Sequence, residues 1–223
     1  MYEPTALVTL IIIIATGVMT YQGFQKPSLF GRFMFDNEAI LRNKEYDRLL
    51  TSGLLHADWF HFGFNMFSLY SFGRMLELLY SSVVLLSIYV VAILGGNLLS
   101  MLIYKNTPYR AIGASGGVCG VIYASIFLLP GTSIMIFPIP IGIPSWVYAI
   151  LFLVISAYGM RSTKNNIGHV AHLGGAITGL VVTFLLYPRS VMAQPELLGL
   201  VILISLGIVA AEIYRRRKNY RGY

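Results

Sequence analysis

The chain has 223 residues, 57% hydrophobic and only 11% charged, with a net charge of +7 and a mean hydropathy of +0.72. A soluble domain is about a quarter charged, so this composition excludes an ordinary soluble globule, and the length suits one bundle rather than two domains. The single cysteine, Cys119, excludes a disulfide within the chain.

A membrane span needs about 20 mostly apolar residues. Residues 5–25 form the first such stretch, without a charged side chain. It lacks the basic start and small-residue cleavage site of a signal peptide, so it is expected to be a retained span. Residues 26–48 mix charges with Phe, Leu and Ile, which predicts a structured loop at the membrane surface. A second span is expected over 54–76, with His56, Asp58, His61 and Asn65 near its start, and a third, uncharged, over 81–104.

From residue 111 to residue 160 there is no Asp, Glu, Lys or Arg. That length accommodates two helices, and the Pro-rich "FPIPIGIP" at 137–144 breaks it in the middle. The fourth and fifth spans are therefore expected over 111–129 and 144–160. A sixth follows over 168–187 and a seventh over 197–214. The last nine residues, "RRRKNYRGY", hold five of the sixteen basic side chains. They suit contact with anionic lipid head groups, and nucleic acid is not an expected partner.

The predicted fold class is an all-α, multi-pass transmembrane bundle. Uninterrupted apolar runs exclude a barrel, whose strands would alternate. Gly116 and Gly120 are four apart, as are Gly175 and Gly179, a spacing that favours close helix contacts.

Polar groups inside a membrane are costly, so each one asks for a function. All four histidines lie in or beside predicted spans, and Ser115 sits among glycines in "AIGASGGVCGVIYA" at 111–124. His61 and Asn65, four apart, share a helix face. Four readings are open on residue chemistry alone: hydrogen bonds that tie helices together, a metal site, a transport path, and catalysis by Ser115 with a histidine base. Metal is disfavoured, because His56 and His61 are five apart with no Glu between them as in the zinc helix HExxH.

Taken together, three motifs in order resemble the rhomboid family of intramembrane serine proteases. "HADWFHFGFNM" at 56–66 resembles the family's HxxxxHxxxN, "GASG" at 113–116 its GxSG, and "AHLGGAITG" at 171–179 its AHxxGxxxG. "GRMLE" at 73–77 resembles the end of the family's second span, with Glu77 as a structural anchor. The resemblance runs from the first span through Gly179. It implies a six-span core (1–190), to which this chain adds a seventh C-terminal helix (191–214) and a basic tail (215–223).

The resemblance further implies Ser115 as nucleophile and His172 as base, a dyad without an acid. It implies His61 and Asn65 as oxyanion donors with the Ser115 N–H, His56 as support, and Gly113 keeping the approach to the serine open. No cofactor and no metal are implied. The expected partners are transmembrane protein substrates in the lipid bilayer of the cell membrane, cleaved near one membrane face. An inactive rhomboid-like protein that binds membrane clients is the alternative, and a transporter a third reading. Asp58 fits the cap of its helix better than a third catalytic member, and His169 is given no role. The turn at 165–168 is read as a lid over the site.

This chain departs from the family in three ways. Cys119 stands where many members carry Tyr or Phe against the catalytic histidine, with Tyr123 one turn on as a poor substitute. Asp47 precedes Arg48 where the family has a Trp-Arg pair. The family's orientation also puts fourteen basic residues outside and two, Arg74 and Arg189, inside, the reverse of the usual distribution.

Overall fold

The computed structural model describes residues 5–135, 142–159 and 168–220. Eleven α-helices make up most of it, with two short two-stranded ribbons. Helix α1 spans Leu7–Gln25. The 26–48 stretch is structured, as expected: α2 (Pro27–Phe33), strand β1 (Phe35–Asp36), α3 (Asn37–Asn43) and α4 (Arg48–Thr51), followed by a 3-10 turn at Ser52–Leu54.

Helix α5 (Trp59–Leu79) starts five residues later than expected. Asp58 is its N-cap and accepts the His61 N–H at 2.7 Å, while residues 52–54 are used in the 3-10 turn. Helix α6 (Ser82–Tyr104) is capped by the Ser81 hydroxyl. Strand β2 (Arg110–Ala111) pairs antiparallel with β1, with Phe35 opposite Ala111 and Asp36 opposite Arg110. Helix α7 (Ser115–Leu128) therefore starts at the serine itself, four residues later than the apolar run suggested.

All fourteen residues of α7 are buried. At about 1.5 Å per residue it is about 21 Å long, short of an apolar membrane layer of about 30 Å. Strands β3 (Ser133–Met135) and β4 (Gly142–Pro144) pair antiparallel, β4 being the last three residues of the predicted Pro-rich break; residues 136–141 lie outside the described ones. Helices α8 (Ser145–Gly159), α9 (His169–Leu186), α10 (Pro188–Met192) and α11 (Pro195–Tyr220) complete the chain. Among the described residues, Leu7–Gln25, Ser82–Tyr104 and Pro195–Arg215 are long and apolar enough to cross a membrane; Ser115–Leu128, Ser145–Ile155 and Val170–Leu186 are shorter apolar helices.

Helix α9 is wedged between α6 and α7 by glycines. The predicted pairs face one another: a Cβ on Gly175 would strike the Gly116 backbone, and one on Gly179 the Gly120 backbone. On the other side, Gly174 lies against Gly96, and Gly95 against Thr178. Small residues thus bring three helices into backbone contact, the packing that works where apolar side chains gain nothing from leaving lipid.

Candidate active site

The backbone that leads into α7 is suspended from three elements. Arg110 and Ala111 pair with β1, the Gly113 N–H donates to the Ser52 carbonyl at 3.0 Å, and the Ala114 N–H donates to His56 Nε2 at 3.4 Å. Ser52 is itself fixed by Asn97 of α6, whose amide donates to the Leu49 carbonyl (2.7 Å) and the Ser52 hydroxyl (3.0 Å). His56, fully buried, accepts on Nε2, so Nδ1 carries the proton and donates to Thr20 Oγ1 at 3.1 Å; Thr20 in turn donates to the Leu54 carbonyl at 3.2 Å. Both nitrogens of His56 are engaged in holding the approach to Ser115.

Gly113 needs to be glycine for two reasons. Its φ is +127°, which L side chains rarely adopt. A Cβ there would also lie 2.9 Å from His61 Cε1, 3.1 Å from His61 Nε2 and 3.4 Å from Ser115 Oγ. The His61 ring and the Ser115 hydroxyl therefore border the same small space. His61 Nδ1 faces the Ala57 N–H at 3.5 Å, which puts the proton on Nε2, a buried donor with no hydrogen-bond acceptor among the described residues. The His56 and His61 rings meet edge to face, 4.9 Å between centroids.

Ser115 is the first residue of α7 and buried. The first internal bond of the helix runs from the Val118 N–H to the Ala114 carbonyl. The N–H groups of Ser115, Gly116 and Gly117 thus have no acceptor within the helix, and the positive end of its dipole lies at the serine.

His172, in the first turn of α9, is buried as well. Helix contact brings these two ends together: the Ala171 carbonyl lies 3.2 Å from where a Gly116 Cβ would be. The residues adjacent to His172 and Ser115 are thus in contact. Asn65, one turn after His61 and buried, donates one amide N–H to the His61 carbonyl at 2.9 Å. Asp58 is occupied as a helix cap. The His169 side chain and residues 165–167 of the expected lid lie outside the described residues.

Three features escape the motifs. Phe152 of α8 packs its ring on His172, with centroids 5.4 Å apart and planes at 52°; nothing in an apolar helix rich in aromatics singles it out. Asn37 holds the α6–α7 loop, donating to the Tyr104 (2.7 Å) and Thr107 (2.9 Å) carbonyls and accepting the Tyr109 N–H (2.9 Å). Asp36 caps α3 and pairs with Arg110 at 2.7 Å. Although Asp47 precedes it, Arg48 anchors the loop. It is 7% exposed, donates to Glu45 at 2.6 Å, and reaches the Gly31 and Met34 carbonyls, both at 2.8 Å.

The family model described as "Rhomboid domain" matches residues 43–189, more than half of the chain. Rhomboid protease GluP of Bacillus subtilis is 30% identical over 171 residues, which are 76% of this chain and 32% of that protein. Rhomboid protein 1, mitochondrial, of Saccharomyces cerevisiae is 28% identical over 137 residues, 60% of this chain and 40% of that protein. Rhomboid protease GlpG of Haemophilus influenzae is 30% identical over 149 residues, 65% of this chain and 71% of that protein. The match spans less than half the length of the first two relatives.

Proposed function

The chain belongs to the rhomboid family of integral membrane proteins, and from that premise we propose that it is an intramembrane serine endopeptidase that cuts transmembrane segments with a Ser115–His172 dyad. The observation that carries the reading is the position of Ser115. It is the first residue of a fully buried helix, and it borders one small space with the protonated nitrogen of His61.

His172 takes the proton of the Ser115 hydroxyl as Oγ bonds to the scissile carbonyl carbon. The carbonyl oxygen becomes an oxyanion, and its charge falls to the N–H groups that open α7, to His61 Nε2–H and to the second amide N–H of Asn65. The tetrahedral intermediate collapses by breaking the C–N bond, and His172 passes its proton to the leaving amine. Water, activated by His172, then attacks the acyl ester and frees Ser115. Because a helix hides its carbonyls in hydrogen bonds, substrates with a locally unstable helix are favoured.

The cell membrane is the proposed location. The proposed layout is a six-span core over 1–190, an additional C-terminal span and a basic tail. The length and apolarity of Pro195–Arg215 support the additional span.

The test is cleavage of a labelled transmembrane substrate by purified protein in liposomes, with Ser115→Ala as control. Product from wild type and none from the variant is expected. Wild type that binds the substrate without cutting it would instead point to an inactive client-binding protein.

A further inference from the structure

Resting on the reading of α11 as a membrane span, we propose that the groove between α9 and α11 holds one acyl chain of an anionic phospholipid. The lipid comes from the leaflet on the α10 side, and its phosphate lies against Arg189. The groove has a volume of about 440 Å³, within the range of about 300–1,000 Å³ that small ligands use. One wall is the α9 face from Ile177 to Phe184, the other the α11 face from Leu198 to Leu206. Met192 of α10 closes the end where the two helices are joined.

The groove follows from where the glycines are. Toward α6 and α7, helix α9 presents Gly174, Gly175 and Gly179, which allow backbone contact. Toward α11 it presents large apolar side chains instead. The two glycines of α11, Gly199 and Gly207, point away: a Cβ on either would meet nothing within 4 Å. Bulky side chains therefore hold α9 and α11 apart.

Almost no polar surface lines the space, so water has nothing to bond to there. A further helix, about 10–12 Å across with its side chains, would have to spread α9 and α11, which are joined by only the eight residues 187–194. An extended acyl chain needs no such opening. Depth selects the leaflet. Leu198 to Leu206 is about 12 Å of helix, and it begins at the turn that α10 makes between two spans. Half of an apolar layer of about 30 Å is about 15 Å, so the groove runs through most of one leaflet and no further.

Apolar contact alone does not retain the chain, because the surrounding lipid is as apolar as the groove. The head group supplies the difference. Arg189 is exposed and has no carboxylate partner among the described residues. It lies three residues before Met192, on the same face of α10, and so stands at the mouth of the groove. Glu196, in the first turn of α11, is offset by the positive end of its own helix.

The test reconstitutes full-length protein in liposomes of phosphatidylcholine and phosphatidylglycerol in equal parts, extracts it in mild detergent and counts bound lipid by native mass spectrometry. One phosphatidylglycerol per chain is expected. Ile177→Trp, which fills the groove, should lose it, and Leu198→Trp serves the same purpose if that variant does not fold. Leu203→Trp, on the outward face of α11 at a position 71% exposed, should keep it. Arg189→Gln should lower the preference for phosphatidylglycerol by about fivefold, the worth of one arginine near an anionic surface. No retained lipid in wild type, equal retention in the filled variants, or an unchanged preference in Arg189→Gln would overturn the inference. So would a wild-type dimer that the filled variants separate, since the occupant would then be a second copy. A fluorophore on Leu203→Cys, quenched by lipid with brominated chains, tests the span by itself. No quenching would remove the span and this inference with it, whereas quenching without retained lipid would remove the inference alone. None of these measurements depends on cleavage, so the dyad is tested separately.

Discussion

Glu77, near the end of α5, caps the start of α1 through Thr9: one carboxylate oxygen accepts both the Thr9 N–H (2.8 Å) and the Thr9 hydroxyl (2.7 Å). The other oxygen accepts the Val8 N–H and the Ser82 hydroxyl, both at 2.8 Å. A buried carboxylate thereby satisfies the free N–H groups of a first helical turn and sits at the positive end of its dipole. It also ties α1, α5 and α6 at one end of the bundle.

Glu77→Ala should lower stability by about 2–4 kcal/mol, since it strands buried donors as well as removing charged hydrogen bonds. Glu77→Gln should cost less, because the amide oxygen still accepts. Thermal unfolding in detergent measures both. An alanine variant as stable as wild type would show that water replaces the carboxylate.

The Asp36–Arg110 clamp predicts acid sensitivity in the loop that leads to Ser115. Burial pushes the Asp36 carboxyl up, but the Ala39 N–H, Arg110 and the Glu38 N–H together hold it below the usual range. A lowered folded value means stabilisation that is complete above the unfolded value of about 3.9 and is lost as pH falls through the folded value. The gap in thermal midpoint between wild type and Asp36→Asn should therefore be wide at neutral pH and close at strongly acid pH. A gap independent of pH would leave Asp36 as a neutral cap only.

Much of this arrangement was legible in the sequence, because the motifs combine local chemistry with local spacing. Gly116 and Gly120 predict a close helix face, and Gly175 and Gly179 prove to be what lies against it. Asp58 reads as a cap from its place before "WFHF", and caps. The first residue of α7 was not legible. Apolarity runs unbroken from Ala111 into the helix, while what delays the helix is non-local: β1 pairing, a bond to Ser52 and a positive φ at Gly113. The roles of Asn37 and Phe152 are not legible for the same reason. Asn37 acts on carbonyls about seventy positions away, and Phe152 is one ring among several until α9 is packed beside it.

The α7–α9 contact predicts a sharp contrast between two glycines. At Gly175 a methyl group would meet Gly116 backbone, which cannot move aside as a side chain can. At Gly199 of α11 it would meet nothing within 4 Å. Gly175→Ala should lose about 1–3 kcal/mol or more through overpacking and lose cleavage by moving His172 away from Ser115. Gly199→Ala should match wild type. Equal activity in the two variants would mean that the close approach is dispensable.

The proposed dyad predicts non-additive kinetics. Ser115→Ala and His172→Ala should each abolish turnover and labelling by a fluorophosphonate probe, and the double variant should be little worse than either, as for groups that act as a unit. Asn65→Ala should retain labelling and lose about 10²-fold in turnover, the usual effect of losing one oxyanion donor. Strong labelling of Ser115→Ala would place the reactive hydroxyl elsewhere.

Substitution at Gly113 separates binding from chemistry. Alanine there has to adopt a φ near +127°, a strain of about 1–3 kcal/mol, and its methyl group would push on His61 Cε1 from 2.9 Å. The same methyl would fill the space between His61 Nε2 and Ser115 Oγ, where the reading puts the oxyanion. The strain acts on the whole fold, but the obstruction acts only when the carbonyl oxygen swings into that space. Gly113→Ala should therefore remain folded at moderate temperature and bind substrate with near-normal affinity. Its turnover should fall at least as far as that of Asn65→Ala, since it displaces one donor and blocks the place the donors serve. Measuring substrate affinity on the Ser115→Ala background, with and without Gly113→Ala, keeps binding apart from cleavage. If Gly113→Ala folds, binds and cleaves at the wild-type rate, the oxyanion does not lie between His61 and Ser115, and the donor set has to be sought on another side of the serine.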